Sequence, residues 1–156
     1  MSKNNLIYAV FKRLLQEARH ERSAGVVIFK KSSTDPLFLA LVKDDGKYDI
    51  TKGIIEPGEE VFDCAVREAE EESGIVLSSE NFRWGMVNKS YGRGTAYIAE
   101  TDVEPSIMPN PETGVLEHTE AKWVTFDEML ENVSDFLIPA INWAYNIKMG
   151  NPNVNI

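Results

Sequence analysis

The sequence predicts an α/β domain, a mixed sheet sandwiched between helices. Two observations carry that prediction. Short apolar runs rich in β-branched and aromatic residues lie on both sides of one central segment with helical periodicity, and a further helical pattern ends the chain. Size and composition agree. A chain of 156 residues with 43% apolar and 26% charged residues reads as one globular domain, 1–156, able to bury a core without a metal or disulfide staple.

In order, residues 1–21 come first, expected as a helical extension. Leu6, Ile7, Val10, Phe11, Leu14 and Leu15 fall at helical spacing. They predict an amphipathic helix packed on the domain, with contact to a membrane surface as the lesser alternative. Basic residues flank this apolar part on both sides, so it does not read as a secretory signal. The core is expected over 22–149. "AGVVIF" (24–29) and "LFLALV" (37–42) read as the strands of a hairpin turned by "SSTDP", and "KDDGK" makes the next turn. "YDIT" (48–51) reads as a short strand. A helix is expected over about 59–73, with Pro57 and Gly58 before it and Gly74 as its stop, its apolar stripe being Phe62, Val66 and Ala69. "WGMVNKS" and "TAYIAET" read as strands joined around "YGRG", and "PSIMPNPETG" as a loop. "AKWVTF" is expected as a strand and "DEMLENV" as a helix with Asp127 near its start. The last helix, over 138–149, has Ile141, Tyr145 and Lys148 roughly on one stripe, and 150–156 reads as a loose tail.

The net charge of −9 disfavours an extended nucleic-acid surface, because that binding neutralises phosphates. Small phosphorylated molecules stay open. No apolar run approaches the length of a membrane span. The single Cys64 cannot form an internal disulfide, so a reducing, cytoplasmic setting is expected. Nothing in the sequence speaks to oligomeric state.

The chemistry concentrates in the central helix. Glu68, Glu71 and Glu72 stand at i, i+3 and i+4, so their carboxylates share a face and repel one another unless a positive charge lies between them. Arg67 falls in another sector and is not expected to neutralise all three. Hard divalent cations take oxygen ligands and bind substrate phosphates as well. Such a face suits phosphoryl chemistry, in which a bound metal offsets phosphate charge and activates water. The alternative is a solvated acidic face. Two details favour the first: the helix has an apolar stripe, and the small residues Cys64 and Ala65 beside Glu68 let another layer approach closely.

Residues 53–75 resemble the Nudix box: Gly, five residues, Glu, seven residues, Arg-Glu-aliphatic-any-Glu-Glu-any-Gly-aliphatic. Here these are Gly53, Glu59, Arg67, Glu68, Ala69, Glu71, Glu72, Gly74 and Ile75, with Ala69 smaller than the usual aliphatic. The resemblance implies the Nudix α/β/α sandwich around a mixed sheet, with residues 1–21 added to it. It also implies hydrolysis of a nucleoside diphosphate linked to another group. It makes Glu68, Glu71, Glu72 and the Gly53 carbonyl ligands of Mg²⁺ (or Mn²⁺), and gives Glu59 and Arg67 a structural role in tying loop to helix.

Outside the box, Glu117 precedes Trp123 by six residues. In several Nudix groups a Glu so placed lies near the metals, as ligand or general base, so the catalytic candidates are Glu71, Glu72 and Glu117. The other reading of Glu117 is a solvated loop glutamate. His118 reads as a loop or substrate-edge residue, because hard Mg²⁺ prefers oxygen. Lys52 is a natural phosphate contact, with Lys43, Lys89 and Arg93 behind it. Tyr91 either stacks on a base or is a hairpin-tip aromatic. The combination of "AGVVIF", "FLALV", "TKGIIEPGE" and "EHTEAKWVTF" is similar to the asymmetric diadenosine tetraphosphate hydrolases, departing from them at Thr51 and in a shorter loop near Tyr91. A dinucleoside polyphosphate is therefore the first expected substrate. RNA 5′ ends, nucleoside triphosphates and ADP-ribose follow, and a non-catalytic nucleotide-sensing module is the alternative of another class.

Overall fold

The computed structural model describes residues 3–19 and 22–151; residues 1–2 and 20–21 of the expected extension and 152–156 of the expected tail lie outside them. The elements are α1 (Lys3–Arg19), β1 (Ser23–Lys30), β2 (Leu37–Val42), β3 (Tyr48–Asp49), β4 (Thr51–Ile54), α2 (Val61–Ser73), β5 (Asn88–Tyr91), β6 (Gly94–Thr101), β7 (Glu120–Thr125), α3 (Phe126–Asn132) and α4 (Ile138–Lys148).

The seven strands form one mixed sheet. β1 is central. It runs parallel to β6 along its whole length, Ser23 beside Gly94 and Lys30 beside Thr101. Its other edge is shared between two antiparallel partners. β4 takes the first half, Ser23 opposite Ile54 through Val26 opposite Thr51, and β2 takes the far end, Phe29 opposite Phe38. β2 also pairs with β3 and β7, and β5 closes the opposite edge on β6.

Alternation along β1 splits the core between the two faces. Ala24, Val26 and Ile28 pack with Leu39, Tyr97 and Ala99 on the α2 side. Val27 and Phe29 pack with Phe38, Ile98, Met129 and Ile141 on the α3 and α4 side. This is the α/β/α sandwich that the sequence predicts. The small residues Cys64, Ala65 and Ala69 are fully buried against the sheet and bring α2 close to it. Gly74 ends α2 at φ 73°, and its N–H returns to the Glu70 carbonyl. Thr125 caps α3 by accepting from the Glu128 N–H.

Two expectations need correction, the start of one strand and the packing of the first helix. The strand expected from residue 84 begins only at Asn88, because the Gly85 N–H closes a turn on the Phe82 carbonyl at 2.9 Å. In α4 the buried residues are Ala140, Ile141, Trp143 and Ala144. Along the expected stripe Ile141 lies in the core, Tyr145 packs at its edge by stacking on Phe126 at 3.8 Å, and Lys148 reaches Glu100 at 2.8 Å. The N-terminal helix forms as expected, but Leu6, Ile7, Val10, Phe11 and Leu14 along it are not packed away: Ile7 is 66% exposed, Phe11 63% and Leu14 58%. α1 is anchored by charge instead, through Lys12 Nζ at 2.9 Å from both Glu56 Oε1 and Glu112 Oε1.

Candidate active site

The site is built where β4 delivers the chain into α2. Gly53 faces α2, and a Cβ at Gly53 would overlap the Glu68 carboxyl group. Only glycine lets the Glu68 carboxylate lie flat on the strand backbone. The loop between β4 and α2 is bolted to the helix. Arg67 donates from Nε to Glu59 Oε2 at 2.7 Å, from Nη2 to Glu59 Oε1 at 2.9 Å, and from Nη2 to the Ile54 carbonyl at 3.2 Å. Glu59 also accepts from the Glu56 N–H at 3.0 Å. The hydrogen bonds from Arg67 outweigh the opposing effect of burial and hold the Glu59 carboxyl below its usual range.

Arg67 does more than the helical sectors suggest. Its Nη1 lies 2.9 Å from Glu68 Oε1 and 3.1 Å from Glu71 Oε2, so one guanidinium touches two of the three face carboxylates. The long side chain folds back over its own turn. Glu72 is held separately: its Oε1 accepts from the Lys52 N–H at 2.7 Å. Burial pushes Glu68 up to about 7, with the charges of Glu71 and Glu117 adding to it against the pull of Arg67. Burial likewise pushes Glu72 well above the ordinary carboxylate range. Two carboxylates pressed toward their neutral forms are short of positive charge, which a divalent cation among oxygen donors would supply. Glu70 is exposed and lies off this face. Burial pushes the Cys64 thiol up to about 12, which keeps it inert.

Glu117 arrives from the loop before β7. Ligand atoms of Glu72, Glu117 and His118 all lie within 4.8 Å of one another. Glu117 is exposed, and its Oε1 accepts from Asn110 Nδ2 at 2.9 Å. His118 lies in that loop, one of the two places expected for it, but it is buried, with Nδ1 at 3.7 Å from Glu72 Oε2 and Nε2 at 3.8 Å from Asp49 Oδ2. Asp49 is a residue that the sequence reading passed over. The available signal was a lone carboxylate inside the strand-like run "YDIT". It is buried and lies 3.0 Å from Lys52 Nζ. Burial works against its charge, but His118 and Lys52 prevail and hold it below the usual range.

Of the basic candidates, Lys52 lines the cleft with Gly53, Arg67, Glu68, Glu71 and Glu117. Lys43, Lys89 and Arg93 do not line it. Lys43 sits in the β2–β3 turn, Lys89 on the edge strand β5, and Arg93 in the β5–β6 turn beside a separate hollow with Arg22. Of the two readings of Tyr91, the structure agrees with the hairpin-tip aromatic and not with the stacking platform. Tyr91 is 4% exposed, its hydroxyl lies 3.0 Å from Ser23 Oγ, and its ring fills the space where a Gly94 side chain would go. A ring packed into the core has no free face for a base.

The cleft encloses about 510 Å³. Its outer wall is α1, through Leu6, Ala9, Val10 and Lys12, and the opposite lip is the proline-rich loop, through Asn110, Glu112 and Thr113. No helix among the described residues is long and apolar enough to cross a membrane.

Comparison with known proteins agrees with this geometry. A family model described as NUDIX domain matches residues 19–144. No curated protein matches the chain in sequence. Among solved structures, the C. elegans Ap4A hydrolase in a binary complex aligns at TM-score 0.65 and 19% identity, over 82% of this chain and 98% of that one. The MutT protein from Methanosarcina mazei Go1 aligns at TM-score 0.58 and 19% identity, over 85% and 96%. The NUDIX domain of Shewanella oneidensis NrtR, solved with ADP ribose, aligns at TM-score 0.59 and 14% identity, over 83% and 88%. At these identities the structures speak for the fold, and the family match over most of the chain, with every fixed position of the box present, makes this chain a member of the NUDIX domain family and a Nudix hydrolase.

Proposed function

We propose that this Nudix hydrolase is a Mg²⁺-dependent pyrophosphohydrolase, with Mn²⁺ as a substitute. It cleaves a phosphoanhydride of a nucleoside diphosphate-linked substrate, in the first place a dinucleoside polyphosphate such as diadenosine tetraphosphate. The observation that carries this reading is the Glu68 carboxylate laid on Gly53, with Glu71 and Glu117 lining the same cleft and a Glu72 oxygen within 4.8 Å of Glu117. The residues that would hold Mg²⁺ are Glu68, Glu71 and Glu72, with the Gly53 carbonyl and Glu117. When bound, Mg²⁺ supplies charge neutralisation on the phosphoryl oxygens.

The chain's own groups do the rest. Arg67 and Glu59 keep the box loop rigid, so the carboxylates meet the substrate without rearranging. The Lys52 N–H aims the Glu72 carboxylate. Glu117, exposed and steered by Asn110, accepts the proton of a water that attacks a bridge phosphorus. The P–O bond on the far side breaks, and diadenosine tetraphosphate yields a nucleoside triphosphate and a monophosphate. Lys52 contacts phosphate after exchanging its Asp49 partner. Lys43, Lys89 and Arg93 serve only a substrate long enough to leave the cleft.

On this reading residues 22–149 are the catalytic unit, working in the cytoplasm on small nucleotides. The chain engages neither a membrane nor extended nucleic acid, in keeping with the net charge of −9. ADP-ribose is the second candidate, because a structural neighbour binds it. The test is turnover of diadenosine tetraphosphate, ADP-ribose, nucleoside triphosphates and 5′-triphosphate RNA with Mg²⁺ or Mn²⁺. The highest kcat/KM is expected for the first. Binding without turnover of any of them would replace the enzyme reading with a nucleotide sensor.

A further inference from the structure

α1 borders the cleft that holds the box carboxylates, although the strands and α2 complete that constellation without it. Leu6, Ala9 and Val10 stand at i, i+3 and i+4, so one face of α1 presents three apolar side chains to the cleft. Leu6 is 45% exposed and Val10 49%, leaving apolar surface open beside a strongly acidic site. Lys12 fixes where that face stands. Its ammonium bridges Glu56, in the box loop, and Glu112, in the proline-rich loop, at 2.9 Å each. Burial opposes its charge, but the two carboxylates prevail and its pKa ends raised.

The electrostatics of the cleft say what this face takes. Each cation lining it already has carboxylate partners: Lys12 has Glu56 and Glu112, Lys52 has Asp49, and Arg67 has Glu59, Glu68 and Glu71. A charged terminus placed against α1 would meet Glu112 and Glu117 with no cation to spare among the described residues of the lining. An uncharged group meets the aliphatic surface of α1, with the Asn110 and Thr113 side chains also in the lining.

We propose that α1 is the distal wall of the substrate site, where Leu6, Ala9 and Val10, clasped in place by Lys12, receive an uncharged nucleoside at the far end of the phosphate chain. The inference rests on the pyrophosphohydrolase reading of the cleft and specifies its substrate. The face of α1 then selects substrates that end in a nucleoside over those that end in a phosphate.

The test compares diadenosine tetraphosphate with adenosine 5′-tetraphosphate, which lacks only the second nucleoside. Wild type is expected to prefer the former in kcat/KM. In the double variant Leu6→Ser, Val10→Ser that preference falls about tenfold, the discrimination an apolar wall of this size supplies, and the change appears in KM. Lys12→Ala lowers it in the same direction. Ile7→Ser, on the outward side of α1, keeps the wild-type ratio. An unchanged ratio in the double variant, or an equal fall in Ile7→Ser, would overturn the distal wall. A binding measurement separates this idea from the reading beneath it. If wild type turns over neither compound, calorimetry with a methylene-bridged, non-hydrolysable diadenosine tetraphosphate decides. Binding that weakens about tenfold in the double variant keeps the wall while the hydrolase reading falls, and absence of binding removes both.

Discussion

α1 and α2 are both amphipathic in sequence, and the fold uses them in opposite ways. α2 buries its inner side. Cys64, Ala65 and Ala69 are fully enclosed, and the helix lies so close to β4 that Glu68 rests on the Gly53 backbone. α1 leaves Leu6, Ile7, Val10, Phe11 and Leu14 exposed, and is anchored by one lysine between two carboxylates. Helical periodicity therefore identifies a face without saying what covers it. Small residues mark the helix that docks on the sheet, because they alone allow the backbones to approach. The larger side chains of α1 stand off and border a cleft.

The difference can be broken at the α2 end first. Glu72→Gln keeps the shape but lowers the charge of the buried carboxylate cluster. Turnover with Mg²⁺ is expected to fall by about two to four orders of magnitude while the circular dichroism spectrum stays that of wild type. Near-normal kcat would remove the metal-helix model.

Gly53→Ala attacks the close approach itself. The new Cβ meets the Glu68 carboxyl group, so α2 must lift or Glu68 must turn away. A loss of about 1–3 kcal/mol in denaturant unfolding is expected. Turnover should fall up to about a hundredfold, because the proposed ligand set would be displaced. Equal activity and stability would mean that α2 is held less tightly than its buried small residues indicate.

The loop brace gives a pH signature. Glu59 is held below its ordinary value of 4.5, chiefly by Arg67. A depressed carboxylate stabilises the fold above its unfolded pKa and loses that contribution as pH falls through the folded value. Wild type should lose on the order of 1 kcal/mol more than Glu59→Gln when unfolding is compared at about pH 6 and about pH 3. Parallel losses would show that the brace is not under charge control.

The smallest effect belongs to α1. Lys12→Ala should change global stability by no more than about 1 kcal/mol, because a partly exposed ion pair contributes little. What difference remains should shrink in high salt. A larger drop in Tm would mean that α1 is part of the folding core and not an added wall.

Much of the fold was legible because alternation and helical spacing are local. The hairpin of β1 and β2, the limits of α2 and the loop through the prolines follow from such patterns. The miss at Trp84 came from a turn closed by backbone hydrogen bonding, and in α4 the spacing gave the stripe but not which neighbours Tyr145 and Lys148 meet. At the site, the box spacing brought Glu68, Glu71 and Glu72 to notice, and the offset from Trp123 brought Glu117. Asp49 escaped, and the burial of His118 with it, because a buried polar pair is defined by its surroundings; of the two readings of Tyr91, only the packing decides for the hairpin-tip aromatic, whose ring turns inward.

By itself, then, the sequence determined the layered α/β class, the family and the carboxylates of the box, since each is written in spacings along one chain segment. Only the tertiary structure decided that Arg67 spans two of those carboxylates, that His118 lies between Glu72 and Asp49, and that Lys12 closes α1 over the cleft. Those contacts join residues far apart in the chain or depend on how a long side chain folds back, and no periodicity encodes either.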